Sequence, residues 1–137
     1  MLFRSEEGYT VAAHQLGKFY RDDLSTLRDH EKAEHWFRRS AEAGNDFSEY
    51  ALGKLLLTQK RWDEAMEWLG KAADHGSQFA RYRLGKIYLV GESVPKDTEK
   101  ALAYLTASAD QGNQFAQYAL GKLYRSEEHT SELQSPS

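Results

Sequence analysis

Phe79-Ala-Arg-Tyr-Arg-Leu-Gly-Lys-Ile-Tyr-Leu-Val-Gly91 decides the fold of this chain, because recognisable copies of this segment recur along the sequence. The tripeptide Leu-Gly-Lys occurs four times, with glycine at 17, 53, 85 and 121, so the intervals are 36, 32 and 36 residues. A second set of glycines recurs in step with the first, at 8, 44, 76 and 112. Two markers with one shared period predict a repeat protein of the helical solenoid class.

The sequence pattern of each repeat predicts two helices. The first runs from about Phe79 to Leu89, with copies that start near Val11, Phe47 and Phe115. Small and apolar side chains in this segment recur four, five and eight residues after the first of them, which places them on one stripe of an α-helix. These residues are Ala80, Leu84, Gly85 and Tyr88.

The second helix of the repeat runs from about Thr98 to Gln111, and Asp97 is predicted to be its N-cap. Its apolar stripe has copies earlier in the chain, so three helices of this type are expected. The stripes are Ala101, Tyr104, Leu105, Ser108 and Ala109; then Ala33, Trp36, Phe37, Ser40 and Ala41; then Ala65, Trp68, Leu69, Ala72 and Ala73.

The two sets of glycines predict different backbone features. Gly44, Gly76 and Gly112 follow the second helices, where a left-handed residue ends a helix, and each is followed by Asn or Ser. The glycines of Leu-Gly-Lys lie inside the first helices, where glycine costs about 1 kcal/mol relative to alanine. We expect that the missing side chain lets paired helices approach closely. The bulky rings of Trp36, Trp68 and Tyr104 are predicted to lie over the gap.

The chain resembles the Sel-1-like repeat family, a subclass of the tetratricopeptide-type helical repeats. The resemblance rests on the segment from Phe79 to Gly91, then Val94-Pro-Lys-Asp-Thr-Glu-Lys-Ala101, and then Ala109-Asp-Gln-Gly112. It implies an all-α fold, an α/α solenoid in which antiparallel helix pairs form a right-handed superhelix. It also implies adaptor or scaffold work with no chemistry of its own. One repeat departs from the pattern, because Gln59-Lys60-Arg61-Trp62 makes a tighter turn.

The repeat array is expected to cover residues 1–124, as about three full helix pairs with partial units at both ends. Residues 1–8 resemble the last turn of a preceding second helix, and residues 115–124 form a lone first helix. The tail at 125–137 breaks the repeat, resembles the translation of a sequencing-library adapter, and is set aside from the fold prediction. Its residues are expected to be poorly ordered or loosely helical. The open ends favour self-association.

Composition narrows the function. The 137 residues carry a net charge of -3, with 18 basic and 21 acidic side chains interspersed, which does not favour direct binding of nucleic acid. The chain has no cysteine, and no apolar run reaches the length of a membrane span. Residues 1–8 lack the apolar stretch of a secretory signal. We therefore expect a cytoplasmic protein that does not enter membranes.

The sequence predicts no catalytic, cofactor-binding or metal-binding residues. His30 and His35 are five residues apart, which turns them to different sides of a helix and away from the zinc-binding spacing. No Gly-Lys pair is followed by Ser or Thr, so a phosphate-binding loop is not expected. The remaining candidates are interpreted as isolated histidines and as turn or capping residues. They are His14, His75 and His129, and Asp22, Asp23 and Asp29.

Helical angles predict where a partner would bind. The side of each first helix opposite the packed stripe carries aromatic residues and a lysine, and first helices line the concave surface of a stack of helix pairs. This pattern predicts a groove for an extended or helical peptide, with the lysines favouring acidic groups. Its residues are Lys18, Phe47, Tyr50, Lys54, Phe79, Tyr82, Arg83, Lys86, Phe115, Tyr118 and Lys122.

Two interpretations of this groove stay open, as do three functions. The aromatic rings either bind a partner or pack between adjacent repeats, and the lysines either bind acidic groups or are merely solvated. A protein or peptide scaffold is the leading function. The second is an accessory segment of a DNA-processing protein, because residues 115–124 also resemble arrays appended to mobilisation relaxases. An enzyme would need a polar pocket, which the sequence does not indicate.

Overall fold

A computed structural model describes the backbone of residues 6–22 and 29–134, and the side chains of residues 8–22 and 29–126. Within these residues the chain forms seven α-helices and no strand. The helices are α1 (Glu6–Asp22), α2 (His30–Glu42), α3 (Asp46–Thr58), α4 (Trp62–Asp74), α5 (Gln78–Val90), α6 (Thr98–Asp110) and α7 (Gln114–Gln134). Odd-numbered helices are the predicted first helices and even-numbered ones are the second helices.

The chain divides into two compact units, Met1–Ala80 and Arg81–Ser137, with the division inside α5. In the first unit α1 packs against α2, α2 against α3, and α3 against α4. The pair α1 and α2 is antiparallel, because Ser40 near the end of α2 hydrogen-bonds the carbonyl of Thr10 near the start of α1. The core of this unit is apolar and buried, as the sequence predicts. It includes Ala33, Phe37, Ala41, Ala51, Leu52, Leu55, Leu56, Ala65 and Trp68.

The second unit repeats this arrangement with α5, α6 and α7. The amide of Asp97, just before α6, donates to the carbonyl of Tyr88 near the end of α5 at 3.0 Å, so these helices are also antiparallel. Leu84, Leu105 and Ala116 are buried between the helices. Helix α6 packs against α7 as α2 packs against α3.

The glycines after the second helices have the predicted left-handed backbone, with φ of 94° at Gly44, 94° at Gly76 and 95° at Gly112. At the first of these, the Gly44 amide donates to Ala41 and the next amide donates to Ser40, which is a Schellman motif. The next side chain, Asn45, then accepts from the Ser48 amide at 2.9 Å and starts α3. Ser77 and Asn113 do the same at their junctions.

The helix N-caps follow the sequence where an acidic residue is present. Asp97 accepts from the Lys100 amide at 3.0 Å, and Asp29 accepts from the Lys32 amide at 3.0 Å, so both capping predictions are confirmed. Asp22 lies at the end of α1 and pairs with its neighbour Arg21. The predicted turn residue Asp23 lies outside the described residues.

The Leu-Gly-Lys glycines do bring paired helices together, but different side chains fill the gap. A Cβ built on Gly53 would lie 2.7 Å from Leu69 Cγ, and one built on Gly85 would lie 2.7 Å from Leu105 Cγ. At Gly17 the neighbour is the ring of Phe37, with its Cδ1 at 2.5 Å. The prediction that the rings of Trp36, Trp68 and Tyr104 cover these glycines is therefore wrong by one position. The residue after each ring points at the glycine, because a step of one residue turns the side chain by about 100°.

The tighter turn between α3 and α4 has a left-handed residue that is not glycine. Lys60 has φ of 60°, and its amide donates to Leu57 at 3.0 Å while the Arg61 amide donates to Leu56 at 3.0 Å. These bonds form the same helix-ending motif as at the glycine junctions. The 32-residue spacing thus comes from a compact turn at Lys60.

The first residues of the array differ from the expectation. Glu6, Glu7 and Gly8 belong to the first turns of α1 and not to a preceding second helix. Gly8 is followed by Tyr9, whereas the junction glycines are followed by Asn or Ser, so no side chain caps a new helix here. At the other end, α7 continues to Gln134, through ten residues of the segment that the sequence analysis sets aside.

Candidate protein-interaction surface

Every first helix exposes a large apolar side chain at the same repeat position, three residues after the glycine at 8, 44, 76 or 112. The exposed fraction is 53% for Val11, 61% for Phe47, 44% for Phe79 and 69% for Phe115. Single exposed apolar residues are ordinary on protein surfaces, but a repeated one marks a face. In each unit, we call the exposed side of the first helices, with these residues and the rings and lysines beside them, the first-helix face of that unit.

In the first unit this face contains two ring contacts between neighbouring repeats. The rings of Tyr50 and Phe79 have their centroids 5.8 Å apart, and the rings of His14 and Phe47 are 6.4 Å apart. Both separations suit tilted aromatic pairs. Contact with a neighbour therefore holds each phenylalanine ring in place while a large part of its surface stays exposed.

In the second unit the same contact joins Tyr82 and Phe115, with their centroids 5.9 Å apart. Tyr82 and Arg83 are half-buried, and Arg83 Nε is buried without a hydrogen-bond partner among the described residues. Tyr118 is 70% exposed. The pairing of rings thus holds for both units, with different degrees of exposure.

The lysines of the face lie beside the rings. Lys54 Nζ lies 4.9 Å from the centroid of Tyr50, and Lys122 Nζ lies 5.3 Å from that of Tyr118, which are cation–π distances. Lys18 and Lys86 are exposed on α1 and α5. Each ring and lysine are four residues apart, so one helix turn sets the contact.

The predicted groove residues are therefore placed in two groups. Lys18, Phe47, Tyr50, Lys54 and Phe79 belong to the first unit, and the other six belong to the second. All the predicted groove rings except Tyr118 pack against a ring of a neighbouring repeat and also remain partly exposed, so the two interpretations of these rings are compatible. Binding by these residues stays a prediction.

His14 has a role that the sequence analysis missed. Its Nδ1 lies 2.6 Å from Ser48 Oγ, Ser48 Oγ lies 2.6 Å from Ser40 Oγ, and Ser40 Oγ lies 2.8 Å from the Thr10 carbonyl. A carbonyl only accepts, so Ser40 donates to it, Ser48 donates to Ser40, and His14 Nδ1 donates to Ser48. The other ring nitrogen, Nε2, is then the acceptor of a neutral imidazole. The interpretation of His14 as isolated is wrong.

The electrostatics around His14 agree with a neutral ring. Burial lowers the pKa of His14 below 6.5, and the positive charges of Lys18 and Arg21 lower it further. The contact with Ser48 resembles a nucleophile and its base, but Ser48 is fully buried and its hydroxyl donates to Ser40. A substrate has no access to Ser48, so these bonds stabilise the contact between α1, α2 and α3.

His75 also has a partner. Its Nδ1 lies 2.7 Å from Oε1 of Glu49, a carboxylate that is buried, while the imidazole itself is largely exposed. The hydrogen bond to Glu49 and the negative charge of Glu49 raise the pKa of His75 above 6.5. In the second unit the same two repeat positions hold Arg81 and Gln111, joined at 2.8 Å. The same two repeat positions are therefore joined by an imidazole–carboxylate contact in one unit and by a guanidinium–amide hydrogen bond in the other.

Four charged residues connect α2 to α4 in the first unit. Arg61 Nη1 lies 2.8 Å from Glu34 Oε1, and Arg61 Nη2 lies 2.7 Å from Glu64 Oε1. Arg38 Nη2 lies 2.8 Å from Glu34 Oε2 and 3.2 Å from Glu64 Oε2. Burial opposes ionisation of Glu34, but hydrogen bonds from Arg38 and Arg61 keep its pKa below the ordinary value. All four charges are mutually satisfied, which is typical of a structural network and not of a ligand site.

Among residues with described side chains, no group of three or more His, Cys, Asp or Glu is arranged to hold a metal ion. In the same part of the chain no helix is long and apolar enough to cross a bilayer. An open depression of about 540 Å³ on α1 is lined by Gln15, Lys18, Phe19 and Asp22 and adjoins the first-helix face.

Comparison with known proteins identifies the repeat. The Sel1 repeat profile matches residues 10–45, 63–77, 78–113 and 114–127. The fold is similar to that of a protective antigen of uropathogenic Escherichia coli described as having an SLR fold, with TM-score 0.78 and 30% identity over 87% of this chain and 26% of that chain. It is also similar to a Sel1 repeat protein from Oxalobacter formigenes, with TM-score 0.77 and 32% identity over 87% of this chain and 50% of that one.

The chain therefore spans about a quarter and a half of the lengths of these two proteins. A search of curated protein sequences found no match. The helices and these solved structures confirm the predicted resemblance and the all-α, α/α-solenoid fold class.

Proposed function

Because the chain belongs to the Sel1 repeat family, whose members commonly serve as protein–protein interaction scaffolds, we propose that it binds a protein or peptide on the first-helix faces of its two units. The proposal assigns no catalytic step to the chain. The partner's chemistry follows from the residues on those faces.

One observation carries the proposal: an exposed apolar side chain at the same position of all four first helices. Phe47 and Phe115 are more than half exposed although each also contacts a neighbouring ring. Rings that are held in place lose little freedom when a partner covers them, which favours binding over disordered side chains. Buried aromatic anchors are also the residues that dominate binding energies at interfaces.

The charges define the partner further. Lys54 and Lys122 are held over the tyrosine rings of the same helices, and no acidic group is paired with either lysine among the described contacts. An acidic group of a partner would meet an ammonium group beside an apolar ring. We therefore propose a ligand with apolar or aromatic side chains interrupted by Asp or Glu.

The test uses a displayed library of random peptides selected on the immobilised chain. We expect enriched peptides that combine acidic and aromatic residues, measured afterwards as synthetic peptides by fluorescence anisotropy. Replacing Lys54, Lys86 and Lys122 together by alanine should weaken binding by about tenfold, because each exposed ion pair contributes up to about 1 kcal/mol. Added salt should weaken the parent's binding and have little effect on the variant's.

A matched control removes the same charge elsewhere. Lys32, Lys71 and Lys96 are exposed residues on or beside the second helices, and their triple alanine variant should bind like the parent. If both triple variants bind equally well and salt has no effect, the first-helix face is not the binding site. A Phe47→Ala variant tests the apolar part of the proposal in the same assay.

The accessory role in DNA processing stays a second proposal. Its support is the resemblance of residues 115–124 to relaxase-associated arrays. The measurement that decides it is retention of labelled DNA at low salt, where any phosphate-binding surface would be detected. No retention would dismiss direct DNA binding.

A further inference from the structure

Helix α5 carries an arginine without an acidic partner among the described residues. The Nε atom of Arg83 is buried, and no hydrogen bond or ion pair of this side chain occurs within residues 8–22 and 29–126. None of the residues three or four positions away on α5 is acidic, so no ion pair can form along this helix. These residues are Phe79, Ala80, Lys86 and Ile87. The half-buried charge of Arg83 is therefore not neutralised within these ranges.

Other arginines show how the fold satisfies this group elsewhere. Arg61 Nε and Nη2 donate to Glu64 Oε1 at 3.1 and 2.7 Å. Arg38 Nη2 donates to Glu34 Oε2 at 2.8 Å. A partly buried guanidinium without an acceptor costs stability, because it has lost contact with water and gained no partner. Arg83 is therefore one half of an ion pair, and a carboxylate supplies the other half in the first unit.

The charge of Arg83 is not part of the repeat pattern. The same position holds Gln15 on α1, Ala51 on α3 and Ala119 on α7, and none of these side chains is charged. The helix pairs form without an arginine there, so the packing of the repeat does not require one. Helix α5 is also followed by α6 and α7 in the chain, so it is an internal helix of the array. A ligand explains the arginine better than the packing of the repeat does.

The second unit separates its charges between first and second helices. Residues 81–90 of α5 and 114–126 of α7 contain basic side chains and no Asp or Glu. The acidic residues within 81–126 lie on α6 or in the loop before it; they are Glu92, Asp97, Glu99 and Asp110. The first helices of the first unit, in contrast, carry both signs of charge, with Asp22, Asp46 and Glu49 as their acidic residues. A negative group is therefore attracted more strongly to the first-helix face of the second unit.

We propose that Arg83 is the residue that recognises a carboxylate of the protein or peptide partner. The proposal rests on the proposed function and adds which group of the partner is recognised, and by which residue. Only Nε is enclosed without a partner, so Nη1 and Nη2 are the donors that a ligand meets. Two N–H groups of a planar guanidinium match the two oxygens of one carboxylate. The carboxylate belongs either to an Asp or Glu side chain or to the C-terminus of the partner.

The two kinds of basic residue on this face then have different roles. Lys86 is exposed, and an exposed ion pair is weak because water and salt screen it. Arg83 is half-buried, so its charge interacts with a carboxylate through a less polar surrounding. Enclosure of Nε also limits the orientations of the guanidinium, so less freedom is lost on binding. Arg83 should therefore select the carboxylate, while the lysines add general attraction.

The test starts from the peptide most enriched by selection on the immobilised full chain. Three synthetic forms are compared by fluorescence anisotropy: the peptide itself, a form with Asn and Gln for Asp and Glu, and a form with an amidated C-terminus. The form that lacks the recognised carboxylate should bind the parent at least about tenfold more weakly, which tells the two sources apart. Arg83→Gln should lose the same factor with the original peptide and almost nothing with that form.

Two further variants separate recognition from charge and from folding. Arg83→Lys keeps the positive charge but loses the planar pair of donors, so it should recover only a small part of the affinity. Arg39→Gln is the matched control, because Arg39 is an exposed arginine on α2, and it should bind all three forms like the parent. A variant that does not fold would lose binding to every form and also its helical circular dichroism.

Nuclear magnetic resonance gives a direct signal from Arg83. Its buried Nε–H should exchange slowly with water and give a side-chain amide-region signal, which is assigned by its absence in Arg83→Lys. This signal should shift when the original peptide is added and stay in place when the form without the recognised carboxylate is added.

Each adverse outcome has a separate meaning. If the parent selects no peptide, the proposed function and the role of Arg83 both fail. If the selected peptides bind equally well without carboxylates, or if Arg83→Gln and Arg39→Gln bind alike, only the role of Arg83 is overturned. Retention of labelled DNA that Arg83→Gln abolishes would also overturn it, because the arginine would then bind phosphate.

Discussion

Replacing Gly53 by alanine tests whether close helix approach stabilises the first unit. The new Cβ would lie 2.7 Å from Leu69 Cγ and 2.8 Å from Cδ2, and 3.3 Å from the Leu69 backbone nitrogen. Leu69 is fully buried, so its side chain has no solvent into which to move. Overpacking of this kind costs about 3 kcal/mol at the upper end of its usual range. Alanine gains about 1 kcal/mol of helix propensity. The expected net loss is about 2 kcal/mol.

Gly70→Ala is the matched control on the facing helix. Nothing lies within 4 Å of its added Cβ, so only the propensity gain of about 1 kcal/mol remains. The two variants should thus differ by about 3 kcal/mol in the free energy of unfolding of the first unit. Urea unfolding followed by tryptophan fluorescence measures this unit selectively, because all three tryptophans, Trp36, Trp62 and Trp68, belong to it.

A double-mutant cycle with Leu69→Ala gives the physical reason directly. Leu69→Ala alone opens a cavity, which costs about 2–5 kcal/mol. In the Gly53→Ala background the same truncation relieves the overlap, so its cost should fall by about 2 kcal/mol. Equal midpoint shifts for Gly53→Ala and Gly70→Ala, with no coupling to Leu69, would refute the argument.

Three further predictions concern the turns, the caps and pH. Lys60→Gly should stabilise the first unit by about 1 kcal/mol in urea unfolding, because glycine adopts positive φ without strain. Gly76→Ala should destabilise the same unit, because alanine is strained at the positive φ of this position. Asp97→Ala should destabilise the second unit by about 1 kcal/mol, measured by circular dichroism, since the Lys100 amide loses its acceptor. The contact with Glu49 raises the pKa of His75 and stabilises the folded chain fully below pH 6.5. This stabilisation is lost as the pH rises through the pKa that His75 has in the folded chain. The stability advantage of the parent over His75→Gln should therefore grow from about pH 8 to about pH 5.5, and a constant difference would contradict the ion pair with Glu49.

The helix boundaries from α2 to α6 were predictable because they depend on local chemistry, whereas the start of α1 and the end of α7 differ from the prediction. The glycines at 44, 76 and 112 and the caps at Asp29 and Asp97 act within a few residues of their own positions, so spacing in the sequence is sufficient. The identity of the side chain that covers each mid-helix glycine was not predictable, because the rotation of one helix against another depends on the packing of both. Leu69, and not Trp68, covers Gly53 for that reason.

The candidate site was predictable only in its repeated part. Regular spacing placed Phe47 and Phe79 on one side of their helices, where the structure has them partly exposed. The bond from His14 to Ser48 joins residues 34 positions apart, and the bond from His75 to Glu49 joins residues 26 positions apart. Neither pair of residue types recurs at the same positions of the other repeats. Periodicity gives no signal for such contacts. Ser48 stands where the other repeats have Ala12, Ala80 and Ala116, which is the only hint in the sequence.

The junctions between second and first helices have a consequence for how the chain can change its length. The three junctions at Gly44, Gly76 and Gly112 share one backbone conformation, and a single Asn or Ser at each one ends one helix and begins the next. Recombination between coding segments at two such points joins identical backbone geometries and removes or adds one whole helix pair. Gene rearrangement can therefore shorten or extend the array in steps of one repeat without a new connecting loop.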